Sequence, residues 1–330
     1  MIALFTWATV GLLAGGVVFT AVLACRRLQL AREDRRRVEA ELRLRPSALA
    51  LLDGEEAPPE PATAREAEIL AALVARLGRQ LSGSARERLG AFFERSGGVE
   101  GEIRRLRSRR SWRRATAAHS LGDMGSRVAV PALLGALRDP AREVRAAAAR
   151  SLGRLGAVEA VDPLVYGLVE RSVPRAVAGQ ALLAIGPAAL PALRRLESAQ
   201  ESEAREIAIE LVGLLGDASE GALLVERLRD GAAEVRAKAA RALGRLAAEE
   251  GAAELRATLH DRIPFVRAAA AVALGAMRDR DAVDELRAVA VNDQYEPARA
   301  AAYALARIDP DALSGAPLLD EAADVAALAR

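Results

Sequence analysis

The chain is poor in the residues that most often carry chemistry. Its 330 positions hold one Cys and two His, which excludes a disulfide framework and leaves too few Cys and His for a zinc or iron–sulfur centre. His119 and His260 are separated by about 140 positions and neither has a Cys neighbour, so both read as helix surface or hydrogen-bonded core. Neither the G-x-G-x-x-G nor the G-x-x-x-x-G-K-[ST] phosphate loop occurs, and there is no G-x-S-x-G nucleophile elbow. Aromatics make up 3% of the chain, too few for an ordinary sheet protein, whereas the abundant Ala, Leu, Arg and Glu are strong helix formers. The expectation is an all-α protein with no cofactor, no metal and no catalytic site.

Charge of either sign is missing from residues 1–25. IALFTWATVGLLAGGVVFTAVLAC, residues 2–25, is long enough as a helix to cross a bilayer core, at roughly 36 Å. No Lys or Arg precedes it, and Arg26, Arg27, Arg32, Arg35, Arg36 and Arg37 follow at once. This is the reverse of a cleavable signal and predicts a transmembrane helix over 1–25, with the N-terminus outside and the rest in the cytoplasm at a cell (inner) membrane. A rival reading takes Val22–Cys25 as a lipoprotein processing site; the flanking charge lies on the wrong side for it, and Leu23 fits poorly. Gly11 and Gly15 are spaced for close approach of two such spans in a homodimer.

Residues 26–45, with eight Arg against four acids, are expected to form a basic juxtamembrane helix. The net charge of the whole chain is +2, so the remainder is slightly acidic. Pro46 is expected to end that helix, and 46–63, with Asp53, Glu55, Glu56 and Glu60 around Pro58, Pro59 and Pro61, to form an acidic Pro-rich linker. Residues 64–107 predict a helical N-terminal cap of three helices near 64–81, 84–95 and 99–107, and 310–330 a C-terminal tail or capping helix.

From Arg114 one pattern returns every 30 or 31 residues. Arg114, Arg145, Arg175, Arg205, Arg236 and Arg267 head six copies; seven positions on stand Leu121, Leu152, Leu182, Val212, Leu243 and Leu274. Eleven positions on, the first four copies carry Gly125, Gly156, Gly186 and Gly216, suited to a left-handed helix stop. Asp139 with Pro140 reads as a helix start, the carboxylate capping free amides and the proline filling the first turn. Residues 292–309 are a seventh, degenerate copy with Arg299 one place late. Each unit is a helix pair that buries its apolar stripe only against a stacked neighbour, which predicts an α-solenoid over 108–309.

DPAREVRAAAARSLGRLG, residues 139–156, DGAAEVRAKAARALGRLA and DRIPFVRAAAAVALGAM resemble the short HEAT-like repeats first associated with phycobilisome bilin lyases, whose usual form is DPxxxVRxxAAxALGxLG. The resemblance implies a right-handed solenoid of about seven repeats, a structural role for the recurring Arg toward carboxylates or carbonyls of adjacent repeats, with Asp139, Asp230 and Asp261 in register to receive it, and a concave face lined by second helices. On that face Arg195, Arg256 and Arg287 recur 20 positions after their repeat Arg, with Tyr166 and Glu254 in equivalent helices, and are the candidate partner-binding residues. A second candidate is the basic segment with Arg104, Arg105, Arg107, Arg109, Arg110 and Arg113 around Trp112. It reads either as a phosphate-binding patch, for lipid headgroups or nucleic acid, or as a solvated lead-in whose Trp112 packs on Phe92 or Phe93.

These features together predict a membrane-anchored cytoplasmic scaffold that recruits or positions a protein partner, in a membrane-associated complex, without enzymatic activity. A bilin lyase-like or enzyme-accessory role follows from the resemblance alone. Nucleic-acid binding is the third reading, and the slightly acidic balance after residue 45 argues against it.

Overall fold

The computed structural model describes residues 23, 25–27, 35, 38–53, 63–78, 83–197, 199–309 and 312. Apart from Leu23 and Cys25 the expected span, with Gly11 and Gly15, lies outside the described residues, and so do 54–62 and 313–330. All regular elements among the described residues are helices. They divide into two units, Met1–Glu102 with Asp123–Ser126, and Ile103–Gly122 with Arg127–Arg330.

In the first unit α1 covers residues 38–53 and passes through Pro46, where the sequence reading ends the helix. The cause is the stripe Leu44, Ala48 and Leu52, buried at a spacing of four. Stopping at Pro46 would expose two of these residues, whereas continuing loses one amide bond to the carbonyl of Leu42, an exposed residue. Arg88 on α3 (Ser84–Arg95) donates from Nε and Nη2 to the Leu52 carbonyl at 2.9 and 2.5 Å and satisfies the end of α1. Glu41 on α1 accepts from Arg76 on α2 (Ala64–Gly78) at 2.8 Å. Leu70, Leu73, Val74, Leu89 and Phe93 complete this core. A further helix, α4, spans Gly98–Arg105.

The second unit is an array of helix pairs. First helices are α5 (Ser111–Met124), α7 (Arg142–Arg154), α9 (Arg175–Ile185), α11 (Ser202–Leu215), α13 (Ala233–Leu246), α15 (Pro264–Met277) and α17 (Tyr295–Ile308). A short 3-10 turn leads into each second helix: α6 (Val130–Ala136), α8 (Val161–Val169), α10 (Leu190–Leu196), α12 (Gly221–Arg227), α14 (Ala252–Thr258) and α16 (Val283–Asn292). The seven-on column from Leu121 to Leu274 is fully buried, and Leu305 extends it into the seventh copy. Among the described residues no single helix is long and apolar enough to cross a membrane. A bent pair, Arg175–Ile185 with Pro187–Leu196, reaches the length and composition of a span, but its Leu182, Leu193 and Leu196 are buried as array core.

First helices approach closely through a glycine column that was not singled out in the sequence. Gly122, Gly153, Gly213, Gly244 and Gly275 stand eight positions after their repeat Arg, and a Cβ at Gly244 would lie 2.5 Å from the Cα of Ala273 on the next first helix. Its signal was a glycine recurring in register inside a helix, where propensity opposes it by about 1 kcal/mol. The helix stop is also more conformational than the residue pattern implied. Gly125, Gly156 and Gly186 have positive φ, yet Gly216 is extended at φ −80, and Ala247 and Arg278 occupy the left-handed region without glycine.

Candidate functional site

The recurring arginines form a ladder between repeats. Arg114 grips Asp139 with Nε and Nη2 at 2.7 and 2.8 Å, Arg205 grips Asp230 at 2.8 and 2.9 Å, and Arg236 grips Asp261 at 2.7 and 2.9 Å. Arg267 holds Asp293 in the same way. The remaining nitrogen, Nη1, donates to carbonyls at the start of the arginine's own repeat, as from Arg236 to Asp230 O at 2.9 Å. Each planar fork thus ties three segments together.

Each aspartate also accepts from the amide two places on, Ala141, Ala232 or Ile263, while Asp293 accepts from Gln294. These turns lie ahead of the helices. Asp139 therefore does not cap the first turn of α7, which starts at Arg142 with Ala141 at its N-cap; the carboxylate instead faces the preceding repeat, where the Arg114 cation holds it more strongly than helix amides would. The hydrogen bond from Arg205 lowers the Asp230 carboxyl below its ordinary range despite burial.

Two rungs lack aspartate. Arg175 turns to Glu203, which also receives Arg171 at 2.7 Å. Arg145 hydrogen-bonds to no carboxylate among the described residues: Nε donates to Ser172 O at 2.5 Å and Nη1 to Asp139 O and Pro140 O at 2.8 and 2.9 Å. Beside it a cleft of about 800 Å³ opens between α6 and α8.

The candidate partner-binding residues occupy three separate places. Tyr166 is 66% exposed at the cleft, and Arg195 reaches Asp162, a cleft residue, at 2.6 Å in an exposed pair. Arg256 is turned into the array, bonded to Asp279 at 2.6 Å and part-buried. Arg287 Nε donates to Ala312 O at 3.0 Å. Glu254 lines a small cleft of about 230 Å³ with Thr258 and His260. The three arginines hold equivalent positions, each 20 after its repeat Arg, but their partners differ: Arg195 reaches back to Asp162 on α8, whereas Arg256 and Arg287 reach forward to Asp279 and the Ala312 carbonyl.

Arg104, Arg105, Arg107, Arg109, Arg110 and Arg113 are all exposed, spread over the end of α4, a turn and the start of α5. Trp112 is also exposed, with the Arg113 guanidinium 5.2 Å above its ring, so the burial expected for this tryptophan is not found. That cation–π contact gives the indole a partner at the surface. Arg114 alone in this run turns inward to the ladder.

Glu197, after α10, is a buried acid that sequence reading did not select. Its carboxylate oxygens have no hydrogen-bond partner among the described residues. Burial, opposed by the attraction of Arg227, pushes its pKa up to about 7. Among the described residues there is no group of three or more His, Cys, Asp or Glu able to hold a metal ion.

The description "HEAT repeats" matches residues 103–183 and 221–306, together more than half of the chain. The chain belongs to the HEAT-repeat family. This HEAT-repeat protein is similar in structure to importin beta, with TM-score 0.50 and 14% identity over 82% of this chain and 42% of that one, a likeness that shows the fold. Two further similar structures are an engineered protein (TM-score 0.40, 22% identity, 86% and 82% of the two chains) and the complex of CpcE and CpcF of phycocyanin lyase from Nostoc sp. (TM-score 0.28, 23% identity, 83% and 97%). Neither of the last two bears on function. No curated protein matches the chain.

Proposed function

We propose that this HEAT-repeat protein is a non-enzymatic, membrane-anchored scaffold that recruits a protein partner on its second-helix face. The observation that carries the reading is the surface of α8 and α10, where exposed Tyr166 stands beside the exposed Asp162–Arg195 pair at the cleft of about 800 Å³. Tyrosine and arginine supply much of the energy at protein interfaces, the ring through area and the guanidinium through directed bonds. The anchor rests on sequence: an uncharged 2–25 followed by an Arg excess keeps the repeats in the cytoplasm. A bilin-related role has only the family resemblance behind it.

The test is crosslinked capture from membranes by the intact chain. Changing Tyr166 and Arg195 to Ala should lower capture roughly tenfold with melting unchanged, as expected for one hot spot lost from a solvent-facing surface. Retained capture, with loss instead on changing Arg104, Arg105 and Arg107 to Ala, would move the site to the basic segment. Recovery of the same partner by residues 1–63 alone would remove the repeats from the recruiting role. A reporter active only in the cytoplasm, fused after Arg330, should be active; activity only from a periplasmic reporter would overturn the topology.

A further inference from the structure

The gap in the ladder at Arg145 has a local cause. Arg145 and Arg175 are 30 positions apart, as are Arg175 and Arg205, whereas the other repeat arginines are 31 apart; the two short spacings are the two rungs without aspartate. The position in register with Asp139, Asp230 and Asp261 is Glu170, which is exposed. After it Arg171 takes the left-handed conformation at φ 54, and the Val173 amide donates back to Gly167 O at 3.1 Å. This turn buries Val173 and puts the Ser172 carbonyl where a carboxylate sits in the other rungs.

A carbonyl leaves part of the fork unused. In the aspartate rungs Nε and Nη2 share one carboxylate, but at Arg145 Nε meets Ser172 O, and Nη2 has no partner among the described residues. The half-buried Arg145 lines the 800 Å³ cleft with Leu134, Leu137, Pro163 and Val173. Three other charged residues line it. Asp139 is occupied by the Arg114 fork and Asp162 by Arg195, while Arg138 is exposed and makes no ion pair among the described residues. Arg145 attracts the Asp139 carboxylate through space, yet its Nη2 edge is left without a hydrogen-bond partner among the described residues, beside an apolar wall.

We propose that this cleft binds an acidic side chain of a protein partner, an Asp or Glu flanked by an apolar residue. The carboxylate takes the Nη2 edge of Arg145, with Arg138 beside it, and the apolar neighbour lies against Leu134 and Pro163, the less buried apolar residues of the wall. The partner supplies from outside the carboxylate that the repeat supplies to itself at Arg114, Arg205, Arg236 and Arg267. A carboxylate fits better than a phosphate dianion, because one open guanidinium edge and one exposed Arg138 face it, and the other two charged residues of the cleft, Asp139 and Asp162, are acidic, so repulsion grows with the charge of the ligand. The proposal rests on the protein-recruiting reading and gives that reading a ligand class.

The probe is a fluorescein-labelled peptide, Ala-Leu-Asp-Leu-Ala amide, with its Asn counterpart, titrated with the full chain in detergent and read by anisotropy. The Asp peptide should bind at least tenfold more tightly than the Asn peptide. Arg138→Glu, at an exposed position, should shrink that preference severalfold at an unchanged melting temperature, and Arg145→Gln should abolish it. Because Arg145 also holds Ser172 and Asp139, Arg138→Glu keeps the test decisive should Arg145→Gln fail to fold. Equal binding of the two peptides, or a preference untouched by Arg138→Glu, overturns the proposal. Displacement of the Asp peptide by inorganic phosphate but not by chloride at equal ionic strength also overturns it, in favour of a phosphate site. Partner capture that survives Arg138→Glu and is lost with Tyr166→Ala and Arg195→Ala would refute this ligand class while leaving the scaffold reading intact.

Discussion

Arg236 and Asp261, 25 positions apart, meet through two parallel hydrogen bonds of 2.7 and 2.9 Å, with only 7% and 13% of their side chains exposed. Removing the arginine would leave a largely buried carboxylate with the Ile263 amide as its one hydrogen-bond donor among the described residues. Arg236→Ala should therefore cost about 2 to 4 kcal/mol, toward the range for breaking one side of a buried ion pair. Arg195→Ala, which breaks a pair exposed at 66% and 77%, should stay within about 0.5 kcal/mol. Urea unfolding of both variants checks this, and equal losses would mean that the ladder does not bear on stability.

Two groups of carboxyls should bend the stability–pH profile in opposite senses. Asp230 and Asp139 are held below their ordinary range, chiefly by hydrogen bonds from Arg205 and Arg114. Their contribution is present above the unfolded pKa of about 4 and is lost as pH falls through the lower folded value. Glu197, pushed up to about 7 by burial, acts the other way: the folded state holds its proton more tightly, so stability declines as pH rises from about 4.5 to 7, by about 3 kcal/mol. Glu197→Gln should flatten the decline between pH 5 and 8 and leave the acid limb in place. Thermal melts across that range test it; a wild-type decline unchanged in the variant would show that Glu197 is not its source.

At Gly244 and Ala247, local preference and packing give opposite answers. Alanine is the better helix former by about 1 kcal/mol, yet a Cβ at Gly244 would lie 2.5 Å from Ala273 Cα, which is backbone and cannot swing aside. Gly244→Ala should therefore destabilise by about 1 to 3 kcal/mol net. Ala247 is left-handed at φ 48, so Ala247→Gly should stabilise by roughly 0.5 kcal/mol, the relief of strain exceeding the added chain entropy. Denaturant midpoints of the two single variants would show the opposite signs, and two shifts of the same sign would contradict the packing argument.

The repeat, its period and its buried column were legible in the sequence because burial writes itself locally. A helix pair that must hide one stripe needs Leu152 or Leu243 at a fixed distance from its arginine whatever the neighbours do. The family followed from the same pattern. What each arginine holds was not legible, because it depends on the path of the loop arriving from the next repeat. Arg236 and Arg145 occupy the same register, but a spacing one residue shorter and a turn at Arg171 exchange a carboxylate for the Ser172 carbonyl and open a cleft. Similarly, Arg195 and Arg256 share a register position yet meet Asp162 in an exposed pair and Asp279 in a part-buried one. Pro46 and Gly244 show the same division. Sequence assigns each a backbone preference, and only the packed neighbours, Ala48 and Leu52 for one helix and Ala273 for the other, decide whether that preference prevails.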